Sequence, residues 1–396
     1  MHSWYFSEQS YAPAWDDPVT PKVTSPSDKI DPETAHRLLR EYIAECKLAD
    51  ELGLNIMTNE HHATYTCMSV SALMTLAVLA THTRRARLLA LGVPIMNRMD
   101  PYRVAEEAAY VDTLSRGRLE LGLIKGSTFE LYMSNANPVT SGARYWEAHD
   151  LILAALAKKD GPISYESDNY SYRYLNVIPP CYQQPTPPIW MTTLSPFTAR
   201  EAAQRGYVIA ITAVARAARA CFPAYREEYQ RVHGKPAPLD RLCYLGQVVV
   251  ARDENTAHER ARKLLRFNET SERIDPRFIN PPGMMPPAEN ARLLKSGTTT
   301  THRNKTLPDG TPMSDPPTPR EQIINNVLFA GTPDQVYEQI KGFYDSVGGF
   351  GNLLVQMGGP MTHEEICDSL TLYANEVMPR LQALTRSHQD HQQETT

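Results

Sequence analysis

The chain has 396 residues, 42% of them hydrophobic and 21% charged, with 40 basic against 45 acidic side chains. That apolar fraction excludes a disordered chain, and a formal net charge of −5 leaves no basic footprint for nucleic acid and no polybasic patch for a membrane. A length prior of about 150 residues per domain allows two or three domains, but an α/β barrel of this size runs as one.

The start, MHSWYFSEQSY, lacks a basic n-region, an apolar h-region and a small-residue cleavage site, so it does not read as a secretory signal. Residues 4–8 (WYFSE) read as the first strand. From 33 to 53, apolar residues recur at Leu39, Tyr42, Cys46, Ala49 and Leu52, steps of three and four that make one helical face. Asp31-Pro32 supplies an N-cap and a first-turn proline, and Gly53 suits the residue past the end. Strand two (54–62, LNIMTNEHH) precedes a helix near 70–81, whose apolar run 72–80 is too short to span a bilayer. Strand three follows at 86–95. Pro101 opens a helix through Leu114, closed by Gly117, and strand four is 118–126.

A helix at 143–157 precedes ISYES and YSYRYLNV, aromatic and alternating, which predict an inserted hairpin. Strand five (189–194) has its helix at 196–206, and strand six (207–211) is again followed by a helix. Strand seven (244–251) precedes a helix at 255–267. A helix at 334–346, strand eight (352–357) and a helix at 364–384 end the pattern. Eight strands each followed by a helix predict a (β/α)8 TIM barrel, with an open doubly wound sheet as the runner-up. The expected organisation is one domain, 1–386, with a polar tail, 387–396. Two segments interrupt it. Residues 10–32 form a long first loop. Residues 268–319 hold ten of the 31 prolines and little periodicity, and read as an inserted lid or a disordered loop on the active-site face. The six cysteines (Cys46, Cys67, Cys181, Cys221, Cys243, Cys367) are scattered without a C-x-x-C pair, read as reduced thiols, and place the chain in the cytoplasm.

Three constellations carry chemistry. Glu60-His61-His62 ends strand two, where barrel strands present catalytic groups. Alternation puts Glu60 and His62 on one side and His61 on the other. The bland reading is a structural pair, and a zinc site lacks H-E-x-x-H spacing. Thr192 to Thr198 links strand five to its helix. Ser195 as N-cap, Pro196 at N1 and Thr198 on the first turn make an anion site, or merely a capped helix. Lys125 ends strand four and Arg144 opens the next helix; both suit an anionic ligand, or are surface charges. Walker A, Rossmann G-x-G-x-x-G and G-x-S-x-G motifs are all missing.

Four stretches, NEHHATYTC (59–67), RVAEEAAYVDTLSRGRLELGLIKG (103–126), PPIWMTTLSPFTAREAAQRGY (187–207) and LFAGTPDQVYEQI (328–340), give a chain that resembles the luciferase-like flavin-dependent monooxygenases. The resemblance implies a barrel binding FMN at the C-terminal strand ends. It implies FMN reduced by a separate NAD(P)H:flavin reductase, O2 trapped as a C4a-hydroperoxide, and oxygenation of a small organic substrate. It places His61 beside the flavin in acid–base chemistry, with Glu60 and His62 completing the motif. Lys125, Arg144, Ser195 and Thr198 then surround the flavin phosphate, with Gly92 and Leu194 also at the cofactor and no metal. A homodimer is expected from the same resemblance. Ile124 and Lys125 stand where bacterial luciferase has cysteine and arginine, so the phosphate contact differs and a close light-emitting relative is disfavoured. The alternatives are a deazaflavin-dependent hydride-transfer oxidoreductase, a non-catalytic flavin-binding protein and, outside the family, a metal-dependent barrel hydrolase. Trp4, Tyr5, Phe6, Tyr11 and Trp15, with Phe278, Met284 and Met285, are the expected walls of a dry cavity.

Overall fold

Each of the eight apolar runs becomes a strand, and the eight close into one parallel ring. The computed structural model describes residues 1–15, 22–271, 273–279, 287–288, 291 and 306–394. The ring comprises β1 (His2–Phe6), β2 (Asn55–Thr58), β3 (Leu88–Pro94), β4 (Leu119–Ile124), β7 (Ile189–Thr192), β8 (Val208–Thr212), β9 (Leu242–Val250) and β11 (Asn352–Gln356). Consecutive strands pair in parallel, β8 pairs with β9, and β11 joins β9 to β1. That closure gives the (β/α)8 TIM barrel and rules out the open sheet, which would leave two edges. The hairpin is present as β5 (Ile163–Glu166) and β6 (Ser171–Leu175), paired antiparallel.

Side-chain caps set the helix starts, the first of them as the sequence predicts. Asp31 accepts the Thr34 N–H at the head of α1 (Pro32–Glu51), and Ser71 accepts the Met74 N–H at the head of α2 (Ala72–His82). Asp100 caps α3 (Pro101–Leu114) through the Tyr102 N–H. Each satisfies an orphan donor, worth about 1 kcal/mol. α1 buries Tyr42, Cys46 and Ala49, the stripe read from its spacing.

Inside the ring, Trp4, Phe6, Met57, Leu89, Leu91, Trp190, Leu245 and Leu354 fill the barrel axis. Trp4 and Trp190 meet edge to face at 5.4 Å, and the Arg87 guanidinium lies over Trp4 at 4.7 Å. Glu120 accepts hydrogen bonds from both Arg87 and the Trp190 indole. This polar cluster fills the N-terminal end, and a cavity lies at the opposite end. Trp4 and Tyr5 therefore belong to packed interior rather than to cavity walls. Tyr11 and Trp15 pack with Ala14 and Tyr65 in a separate small cluster.

Four features depart from the sequence reading. β2 stops at Thr58, so residues 59–62 are not strand. A short helix, α4 (Thr128–Met133), follows β4. A ninth strand, β10 (Leu328–Gly331), pairs with Gln247–Val250 of β9, above the stretch of β9 that pairs with β8. The closing helix continues through a π turn (Tyr373–Val377) to Glu394, past the expected start of the polar tail. Part of the 268–319 insertion, with Met284 and Met285, lies outside the described residues. Among the described residues, no helix is long and apolar enough to cross a membrane.

Candidate active site

Where the strands stop, their last inward side chains have no further layer above them. A cavity of about 1060 Å³ opens there. Its floor is Phe6, Met57, Leu91, Leu245 and Leu354, the top of the barrel's interior packing. Its rim includes Phe267, Asn268 and Ser271 from the end of the helix Glu254–Ser271, and Gln322 from the helix Pro319–Ile324 that leads into β10.

In the sector of β4 and β7 the lining is Lys125, Thr192, Thr193, Leu194, Ser195 and Thr198. The N-terminus of α6 (Pro196–Gln204) faces the same sector. Ser195 is its N-cap, accepting the Phe197 N–H at 3.2 Å, and Thr193 Oγ1 accepts the Ser195 N–H at 3.0 Å. A helix N-terminus, four hydroxyls and an ammonium are groups that suit an anion. Gly92 also lines the cavity. A Cβ there would stand 2.6 Å from Ile124 Cγ2 and 3.0 Å from the Gly122 carbonyl, so a side chain would displace the β4 wall.

In the sector of β1 and β2 the lining is Glu8, Lys22, Asn59, Glu60 and His61. The alternation argument fails here because the strand has ended: Glu60 and His61 both reach the cavity, and His62 does not. Glu60 is 1% exposed and structurally committed. Its Oε2 accepts the Ala72 N–H at 2.8 Å, at the start of α2, and both oxygens accept from Arg98, at 3.1 and 3.3 Å. His62 Nε2 lies 3.6 Å from Glu60 Oε1. His61 is different. Its side chain keeps 28% of its surface accessible, and its Nδ1 is 2.9 Å from Oε1 of Glu130.

The sequence reading does not single out Glu130. It sits on α4, is 2% exposed, and also accepts the His62 N–H at 3.1 Å and the Ser127 N–H and hydroxyl. Burial opposes its ionisation, but the His61 hydrogen bond and charge, with the Ser127 donors, bring its carboxyl down to about 2. Burial likewise opposes an imidazolium at His61, yet the Glu130 hydrogen bond and charge carry its pKa above the ordinary value. The signal was available: Ser127-Thr128-Phe129-Glu130 is a capping box, S-x-x-E.

Arg144 does not line this cavity. α4 and the turn after it separate α5 (Ser141–Ala157) from the end of β4, and the Arg144 guanidinium lies 5.7 Å from the Tyr170 ring beside the hairpin. Of the expected aromatic walls, Phe6 lines the cavity, while Phe278 packs on Tyr132 of α4 at 4.9 Å.

Comparison with known proteins gives the family and the fold. A family model described as luciferase-like monooxygenase matches residues 23–349. An uncharacterised protein of Sinorhizobium fredii is 33% identical over 239 residues, covering 59% of this chain and 69% of that protein. The oxygenase component of a flavin-dependent trigonelline monooxygenase from Acinetobacter baylyi is 29% identical over 187 residues, 46% of this chain and 51% of that protein. Among solved structures, the monooxygenase RslO1 of Streptomyces bottropensis superposes with a TM-score of 0.73 at 20% identity, covering 96% of this chain and all of that one. The oxygenating constituent of 3,6-diketocamphane monooxygenase of Pseudomonas putida, in complex with FMN, gives 0.70 at 17%, covering 96% and 97%. A coenzyme F420-dependent tetrahydromethanopterin reductase of Methanopyrus kandleri gives 0.61 at 16%, covering 96% and 98%. At these identities the structural likenesses are likenesses of fold.

Proposed function

Because the chain belongs to the luciferase-like monooxygenase family of flavin-dependent oxidoreductases, we propose that it is the oxygenase of a two-component FMN monooxygenase. The observation that carries this reading is the pairing, in one cavity, of an anion site (Lys125, Ser195, Thr198 and the α6 N-terminus) with the His61–Glu130 pair. The donor set suits a phosphate group, and the volume lies at the top of the range for ligand pockets, about 300–1,000 Å³. That gives room for a flavin with a small organic substrate.

Reduced FMN, when bound, supplies the electrons that activate O2 for insertion of one oxygen atom into that substrate. This chain's residues do the rest. Lys125, Ser195 and Thr198 hold the phosphate. The apolar floor of Phe6, Met57 and Leu354 keeps water from the reacting end. His61 exchanges a proton at Nε2, the ring nitrogen left for the cavity once Glu130 has engaged Nδ1. Glu60 holds the loop that presents His61. A separate NAD(P)H:flavin reductase delivers the reduced FMN, in keeping with the Acinetobacter baylyi relative's name as an oxygenase component.

A second reading, hydride transfer with a deazaflavin, is favoured by the shared barrel of the F420-dependent reductase. Anaerobic titration with reduced FMN and with reduced coenzyme F420, followed by mixing with O2, separates the two. The FMN reading expects tight binding of reduced FMN and a long-lived near-ultraviolet band unlike that of oxidised FMN. Preference for coenzyme F420 with no response to O2 would replace it.

A further inference from the structure

We propose that Glu130 is the positioning residue of the site: it fixes the tautomer of His61 so that the lone pair on Nε2 faces the cavity. The inference rests on the proposed proton exchange at His61 and adds the group that makes that exchange directional.

The Glu130 carboxylate receives the His62 and Ser127 N–H groups and the Ser127 hydroxyl, and its Oε1 faces His61 Nδ1. An ionised carboxylate has acceptor sites only. The Nδ1 facing it therefore carries the proton, and neutral His61 holds its lone pair on Nε2. When Nε2 takes a proton from a group in the cavity, that group keeps the electron pair. The imidazolium so formed donates from Nδ1 to an anion already in place, and Nε2 later returns the proton. Glu130 never exchanges a proton itself. The same carboxylate joins the loop after β2 to the head of α4, so the imidazole is held from two strand ends rather than one. Two other charged groups bear on the ring, Glu8 from the loop after β1 and Lys22 from the first loop, while the neighbouring Glu60 is held by Arg98.

The test uses full-length protein labelled with 15N-histidine, without cofactor, in wild-type form and as Glu130→Gln and Glu130→Asp. Ring-nitrogen NMR across pH reads tautomer and titration midpoint, and the signal lost in His61→Ala identifies the residue. The wild type is expected to show Nδ1–H with a bare Nε2. In Glu130→Gln the neutral amide removes the charge behind Nδ1, so the preference for Nδ1–H weakens and proton affinity at His61 falls about tenfold or more, while the FMN dissociation constant stays within about twofold. Glu130→Asp keeps the charge and restores the wild-type tautomer in part. An Nε2–H tautomer in the wild type, or a Glu130→Gln variant with unchanged tautomer and midpoint, overturns the proposal. If the Glu130→Gln protein does not fold, the wild-type and Glu130→Asp spectra still decide it. The reading beneath it fails separately: His61→Ala with normal coupling of O2 use to product removes the catalytic role and leaves the Glu130 geometry standing.

Discussion

Replacing Glu60 by alanine separates a chemical from an architectural role for the first residue of the Glu60-His61-His62 motif. The geometry assigns its carboxylate to the Ala72 N–H and to Arg98. Loss of a charged acceptor at a helix start costs about 1–2 kcal/mol. Arg98 is 21% exposed and keeps Glu107 at 3.1 Å, so stranding it costs about 1–2 kcal/mol, below the roughly 3–5 kcal/mol of a fully buried pair. The combined loss is about 3 kcal/mol. Unfolding entropy of about 2.1 cal/mol/K per residue gives about 0.8 kcal/mol/K for this length, so Tm falls by about 4 °C. Circular dichroism melts of the wild type, Glu60→Ala and Glu60→Gln read this directly. The glutamine form keeps an acceptor for Ala72 and is expected between the other two. An unchanged Tm in Glu60→Ala, together with lost turnover, refutes the architectural assignment and returns Glu60 to the chemistry.

Thr198→Val is expected to weaken FMN binding about tenfold, the loss of one charge-assisted hydrogen bond. Riboflavin, which has no phosphate, is expected to bind as before; equal losses for both by calorimetry place the phosphate elsewhere. His61→Ala is expected to fold, bind FMN and lose about a hundredfold in product formation, with O2 recovered as hydrogen peroxide in an electrode assay. The His61–Glu130 pair also predicts a pH window. With its carboxyl at about 2, Glu130 stabilises the fold above the unfolded value of about 4.3, and that contribution is lost as pH falls toward 2. With its pKa raised, His61 contributes fully below about 6.5, and the contribution is lost as pH rises through the folded value. Urea midpoints of wild type and Glu130→Gln are therefore expected to differ most between about pH 5 and 6, and a difference flat from about pH 3 to 9 counts against the pair.

The barrel was legible because its signals are local and repeated. Each strand is a short apolar run bounded by turn residues, and caps such as Asp31 and Ser195 mark helix starts within a residue or two. The helix start at Ser195-Pro196 was legible for the same reason, and Ser195 and Thr198 line the cavity. The errors came from carrying a local rule past its element. Alternation was extended from β2 into 59–62, where the chain has left the strand, and so misassigned the faces of Glu60 and His62. Arg144 was placed as the start of the helix next after β4 and by the resemblance, without α4 between them. Glu130 meets His61 across 69 residues of chain. No periodicity reports such a pairing, although the capping box at Ser127 would have announced the helix that makes it.

β9 carries β8 along its lower edge and β10 along its upper edge, and this has a consequence for how the protein can change. The connection from β9 to β10 leaves its first helix at Ser271 and returns through Pro319–Ile324, and Asn268 and Gln322 at its two ends both line the cavity. Its termini are thus pinned by parallel pairing rather than by its own length. Closing a loop costs only about 0.6 kcal/mol more for each doubling, less than one ordinary hydrogen bond. The stretch can be exchanged, shortened or grafted from a relative while the ring beneath it keeps its register. A change in this connection therefore reaches the cavity wall at Asn268 and Gln322 while the strand pairing beneath it stays as it is.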